Sequence, residues 1–156
     1  MIKFAALSNL LKKVISNGIE TVFISRISGE ILCVEGKECK QTLGDLISSM
    51  WIEYYQIGEA SLKEEKLSCL LIENDDSNVM TTNLYSYIVC MKANKNIKLG
   101  MLRKNLESLT QNLNKMLEPF KDIILKKEEI NNEEKWTPST IEKFNQIIYD
   151  YLYINY

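Results

Sequence analysis

The sequence predicts one α+β domain, in the order helix, two strands, helix, three strands, helix, with a helical appendage behind it. Three observations carry this expectation. Apolar residues recur every three or four positions in three long stretches. Runs rich in β-branched and aromatic residues, bounded by turn residues, fill the intervals between them. Beyond residue 120 the composition shifts abruptly towards charge. The chain of 156 residues is long enough to bury one proper core, and divides into a domain over 1–120 and an appendage over 121–156.

Phe4, Leu7, Leu10, Leu11, Val14 and Ile15 fall at helical spacing, with Gly18 just past their end. The runs 21–27 (TVFISRI) and 30–34 (EILCV) flank Ser28 and Gly29, the pattern of a β-hairpin. Residues 42–55 form the informative helix. There Leu43, Leu46, Ile47, Met50, Trp51, Tyr54 and Tyr55 cover an arc of about 180°, against ~100° for a helix that covers one surface. One flank is expected to pack on the sheet, leaving Trp51 and Tyr55 in water unless a partner covers them. Aromatic side chains are also the type enriched at interface hot spots. A helix sandwiched between two layers of its own domain would carry the same pattern.

A loop over 56–64 precedes a strand over 66–73 (KLSCLLIE) and a turn cluster over 74–78. Residues 79–83 and 85–91 read as two more strands, and 92–98 as a polar break. From Leu99 onward Leu102, Leu106, Leu109, Leu113 and Met116 make one narrow stripe, on a helix ending before Pro119. Residues 121–135 read as a solvated helix or linker, and a last helix starts either at Thr137-Pro138 or at the competing capping box of Ser139 and Glu142. Ile141, Phe144, Ile148, Tyr151 and Leu152 form its apolar face, which either binds a partner or folds back on its own domain.

The chain has no histidine, which removes the commonest general base, the usual nucleophile–base pairs and most zinc ligand sets. It has no Walker-type phosphate loop. Glu73, Asp75 and Asp76 lack the spacing of a calcium loop, and a hairpin turn explains them. Cys33, Cys39, Cys69 and Cys90 form no C-x-x-C pair and read as buried thiols of a reducing, cytoplasmic setting. A net charge of −2 gives no general attraction for nucleic acid. No apolar run approaches the roughly 20 residues that cross a bilayer, so membrane contact is expected only through partners. No enzyme, cofactor or metal site is expected.

Four segments carry a resemblance: 48–58 (SSMWIEYYQIG), 64–73 (EEKLSCLLIE), 84–93 (LYSYIVCMKA) and 99–120 (LGMLRKNLESLTQNLNKMLEPF). In this order and spacing they resemble the roadblock/dynein light chain family, and within it the Ragulator-type adaptor subunits of late endosomes and lysosomes. The tryptophan of the second helix and the Gly-Met-Leu-Arg entry to the third are its most specific pieces. The likeness runs from about Leu7 to Phe120. It implies a roadblock/longin-like fold, with a five-stranded antiparallel sheet, the second helix on one face and the first and last helices on the other. It implies a heterodimer with a second roadblock-fold subunit, in which second helices pack together and third strands join edge to edge. Leu43, Ile47, Met50, Trp51, Tyr54 and Tyr55 would then meet the partner, and Leu67, Cys69, Leu70, Leu71 and Ile72 would form the joined edge. A lipidated anchor subunit and Rag-type GTPases complete the implied assembly, which serves kinase and mTOR signalling at the lysosomal surface. Other roadblock proteins are the alternative, either a dynein light chain or a homodimeric small-GTPase regulator. A ligand-sensing α/β domain is another. The stretch 35–41 (EGKECKQ) and the tail after Phe120 depart from the family pattern.

Overall fold

The computed structural model describes residues 2–61 and 66–122. Its order is α1 (Ile2–Lys12), β1 (Ile19–Arg26), β2 (Ile31–Gly36), α2 (Gln41–Ser61), β3 (Leu70–Glu73), β4 (Ser77–Leu84), β5 (Tyr87–Asn94) and α3 (Leu99–Leu117). A single 3-10 turn, Glu118–Phe120, follows α3. The apolar face expected over Ile141, Phe144, Ile148, Tyr151 and Leu152 lies outside the described residues, as does most of the appendage.

The five strands form one antiparallel sheet in the order β2-β1-β5-β4-β3. Side chains alternate across a strand, and here both sets are apolar because both faces are covered. Val22 and Ile24 of β1, with Val89, Met91 and Ala93 of β5, face a core closed by Leu11 of α1 and Leu102, Leu106, Leu109 and Leu113 of α3. Phe23, Ile88, Cys90 and Val79 face the other way, against Ile47 and Trp51 of α2. The sheet thus lies between α2 and the α1/α3 pair.

Several boundaries differ from those read in the sequence. The periodicity of α1 suggested a helix through Ile15, but the helix stops at Lys12, and Asn17 and Gly18 turn the chain with φ of 52° and 96°. α2 continues to Ser61, through residues whose polarity suggested a loop. β3 begins only at Leu70. Ahead of it the Thr82 hydroxyl donates to the Ser68 carbonyl at 2.7 Å, a side-chain bond where a ladder bond would stand. β5 begins at Tyr87, because Tyr85 adopts the left-handed conformation (φ 54°) in the β4–β5 turn. Its hydroxyl donates to Asn114 Oδ1 at 2.7 Å, tying that turn to α3.

Candidate protein-interaction surface

α2 is held against the β1–β2 hairpin by polar contacts along one flank. The Gln41 side chain accepts from Ile31 N–H at 3.2 Å and donates to the Gly29 carbonyl at 2.7 Å. Two turns on, Ser48 donates to the Ile27 carbonyl. Gly29 itself has φ 99°, a left-handed turn position that favours glycine. Gly44 lets the helix approach closely, since a Cβ there would lie 2.5 Å from the Gly29 oxygen.

At about 100° per residue, Ile47 and Trp51 fall next to this anchored flank and point into the core. Ile47 is fully buried and Trp51 is 1% exposed. The expectation that Trp51 would stand in water is therefore corrected: the chain's own sheet covers it. Tyr55 is half-buried. The most exposed apolar residues lie on the flank turned away from the hairpin, whereas Ile52, 38% exposed, lies on the hairpin side. Leu46 is 54% exposed, Tyr54 48% and Ile57 50%, with half-buried Leu43 and Met50 completing an arc of about 80°. Away from β1–β2 means towards β4–β3, given the strand order.

β3 is the edge strand on that side. Asn74 N–H donates to the Ser77 carbonyl at 2.9 Å, closing a turn over Asp75 and Asp76. By the alternation of the antiparallel ladder, Ile72 and Leu70 then spend their backbone groups on β4, while Leu71 and Glu73 direct theirs outward. The Leu70 and Ile72 side chains lie half-buried on the α2 face beside Leu67, whereas Cys69 packs on the α3 face. Leu71 is on that face too and 38% exposed. The edge strand is thus four residues long, with Leu67 and Cys69 ahead of it rather than in it. Exposed Glu53, Glu73, Asp75 and Asp76 give the surface an acidic rim.

Apart from Tyr55, Leu67 and Cys69, the residues assigned from the sequence fall into two sets. Leu43, Met50 and Tyr54, with the β3 residues Leu70, Leu71 and Ile72, share one edge of the molecule. Ile47 and Trp51 are core. Two further exposed apolar residues, Leu46 and Ile57, lie on the same flank and were not among those assigned. Leu46 belonged to the apolar arc but not to the expected partner contacts, and Ile57 fell beyond the expected helix end. Continuation of the i, i+4, i+8, i+11 spacing through 46, 50, 54 and 57 is the signal that recovers both.

The site has little reactive chemistry. Burial pushes the thiols of Cys33, Cys39, Cys69 and Cys90 above their ordinary range, which lowers their thiolate fraction. Among the described residues no group of three or more His, Cys, Asp or Glu side chains is placed to hold a metal ion, and no helix is long and apolar enough to cross a membrane.

No family model matches the sequence. Solved structures do match the fold. The roadblock/LC7 domain from Streptomyces avermitilis superposes with a TM-score of 0.64 at 12% identity, covering 72% of this chain and 95% of that one. Myxococcus xanthus MglB gives 0.69 at 14%, covering 76% and 92%. An MglB with tetrameric arrangement gives 0.66 at 11%, covering 74% and 90%. A five-stranded antiparallel sheet with α2 on one face and α1 and α3 on the other, matched over nearly the whole of these domains, means that this chain has the roadblock fold.

Proposed function

We propose that this chain is a non-enzymatic scaffold subunit that pairs with a second roadblock-fold chain through the α2 stripe and the β3 edge. The pair then docks Rag-type small GTPases in a Ragulator-like assembly for amino-acid and mTOR signalling, with MAPK signalling as its second output. The observation that carries the pairing is the coincidence, on one side of the sheet, of an exposed apolar helix stripe (Leu46, Tyr54, Ile57) and a strand that is the sheet's edge among the described residues, with the Leu71 and Glu73 backbone groups directed away from β4. Each feature alone is common on a soluble protein. Together they match a partner presenting the same two elements, because strand pairing fixes the register and the stripe supplies apolar area. Covering three half-exposed side chains recovers roughly half of the ~1.5–3 kcal/mol that full burial of each is worth. That total of about 2–5 kcal/mol falls short of the cost of association unless the edge bonds and a rim of further contacts add to it. An interface of about 800 Å² per partner is therefore required.

The Ragulator-like part rests on the four sequence segments, which resemble Ragulator subunit 2 in order and spacing. A lipidated partner subunit would hold the assembly on late endosomes and lysosomes. Affinity purification of the tagged chain from its own cells tests the whole reading. Recovery of a second roadblock-fold chain, a lipidated subunit and Rag-type GTPases is expected, and Leu46→Asp with Tyr54→Asp should lose all three together. Recovery of dynein chains instead would discard it. A self-paired regulator of a small GTPase is the second reading, favoured by the tetrameric arrangement of an MglB with the same fold. Light scattering separates the two: a dimeric mass for the purified chain alone supports self-pairing, and a monomeric mass supports the heterodimer.

A further inference from the structure

The two elements of the pairing surface share a charge as well as a side of the sheet. Residues 41–61 and 70–78 carry six acidic side chains and no lysine or arginine, a formal charge of −6 in a chain whose total is −2. The remainder is therefore net positive, and acidity is concentrated where apolar side chains are exposed. At 100° per residue Glu53 falls within about 20° of Leu46 and about 40° of Ile57, inside the exposed stripe of α2. Glu73 ends the edge strand, and Asp75 and Asp76 form the tip of the turn that follows it. All four carboxylates are exposed, and none forms an ion pair among the described residues. Lys95 donates to Asn78 Oδ1 at 3.4 Å, and Lys66 stands exposed ahead of β3, where it offsets one of these charges.

An apolar contact over Leu46, Tyr54 and Ile57 draws Glu53 into partial burial with them. A carboxylate that leaves water without gaining a cation opposes binding, and a like charge placed opposite it opposes binding further. A second copy of this chain offers Glu53 only that outcome, since neither α2 has a cation to supply. At the strand edge it sets a second Glu73 and a second acidic turn near the first.

We propose that the α2 and β3 surface selects a cationic partner and rejects a second copy of this chain. The partner presents Lys or Arg side chains around an apolar helix, opposite Glu53 and the acidic rim of Glu73, Asp75 and Asp76. This selection rests on the pairing reading above, and adds the partner's charge to it.

The chain itself supplies the probe. The variant Glu53→Lys/Glu73→Lys/Asp75→Lys/Asp76→Lys keeps the helix stripe and the strand edge of the parent and inverts the rim. The two proteins are compared alone and as an equimolar mixture by sedimentation velocity, at about 50 mM NaCl, where charges act over more than 10 Å. The mixture should form a 1:1 complex at least about tenfold tighter than either protein binds itself, since each exposed pair contributes a factor of roughly 1.5–5 and four are made. About 500 mM NaCl, which shortens the screening length to roughly 4 Å, should remove most of that difference. A mixture no heavier than its components, or no tighter than the parent's self-association, overturns the proposal. If the parent dimerises alone as tightly as the mixture, and Leu46→Asp/Tyr54→Asp abolishes that dimer, the pairing surface stands and the cationic partner falls. If the 1:1 complex survives Leu46→Asp/Tyr54→Asp in the parent, charge acts away from the stripe and both readings fall. The isosteric Glu53→Gln/Glu73→Gln/Asp75→Asn/Asp76→Asn variant guards against a fold defect in the lysine variant. It should bind itself at least about threefold more tightly than the parent does, and an equal affinity overturns the proposal as well.

Discussion

Replacing Trp51 by alanine separates a core role from a partner role. The side chain is 1% exposed and packs with Phe23, Ile47, Val79, Ile88 and Cys90 between α2 and the sheet. Truncating a buried tryptophan removes its transfer free energy and leaves a cavity, together about 3–5 kcal/mol. A domain of this size has a total stability of about 5–15 kcal/mol, so the variant keeps only a fraction of it. Each kcal/mol shifts the melting temperature of a ~120-residue domain by about 3–5 °C, so a fall of roughly 10–20 °C is expected. Leu46→Ala is the companion, because Leu46 is 54% exposed and its truncation should cost less than about 0.5 kcal/mol in the isolated chain. Urea unfolding followed by circular dichroism gives both values. It is run at two protein concentrations tenfold apart, so that any contribution from self-association appears as a concentration-dependent midpoint. An unchanged midpoint for Trp51→Ala, combined with lost partner binding, would refute the core assignment and restore this residue to the interface.

Three further outcomes follow from the same contacts. Gly44→Ala should destabilise by about 1–2 kcal/mol in urea unfolding, although alanine normally gains up to ~1 kcal/mol over glycine within a helix. The reason is that the new Cβ would stand 2.5 Å from the Gly29 oxygen and 2.8 Å from Ile31 Cγ1. Ser48→Ala should cost about 1–2 kcal/mol by leaving the Ile27 carbonyl without the donor now supplied from a buried hydroxyl. Burial pushes the Tyr87 phenol up to about 12 against a smaller opposing pull from Arg26, above the ordinary value near 10. The folded state then keeps a proton that the unfolded chain releases, so this contribution is complete below pH ~10 and is lost between ~10 and ~12. Urea midpoints should fall across that window in the parent chain and fall less in Tyr87→Phe.

The parts of this molecule that were legible in the sequence are those where one physical demand acts on a segment. α3 covers one surface, so Leu102, Leu106, Leu109 and Leu113 stand out as a narrow stripe, and all four are buried. β1 is buried on both faces, so TVFISR reads as a continuous strand. Where two demands meet, the reading slipped. Tyr85 has strand propensity yet serves as a turn residue, because its hydroxyl reaches Asn114. Propensity cannot register a tertiary bond 29 residues away. On α2 the whole apolar arc was recognised, but not which part of it the sheet would cover. Aromaticity suggested Trp51 for the outside, whereas the anchors at Gln41 and Ser48 rotate that side inward and leave Leu46 and Ile57 out. Helix phase is set by those contacts, and composition alone does not contain it.

The two edges of the sheet are treated differently, and the difference bears on what kind of assembly the surface can make. At β2, α1 packs alongside, the Ser8 hydroxyl donates to the Glu35 carboxylate, and the Gln41 side chain occupies the Ile31 N–H. These are the devices by which an edge is closed to further pairing. At β3, Leu71 and Glu73 keep outward backbone groups, and the neighbouring helix presents leucine, tyrosine and isoleucine where a solvated helix would carry charge. A sheet with two open edges can add subunits without limit, head to tail. With β2 partly occupied in this way, β3 is the more open edge among the described residues, and on the proposed reading pairing would run β3 to β3 across an approximate two-fold axis. That would join two five-stranded sheets and end on both sides at β2. On the proposed reading, the same asymmetry would favour a chain that pairs once at β3, as a subunit of a defined complex requires.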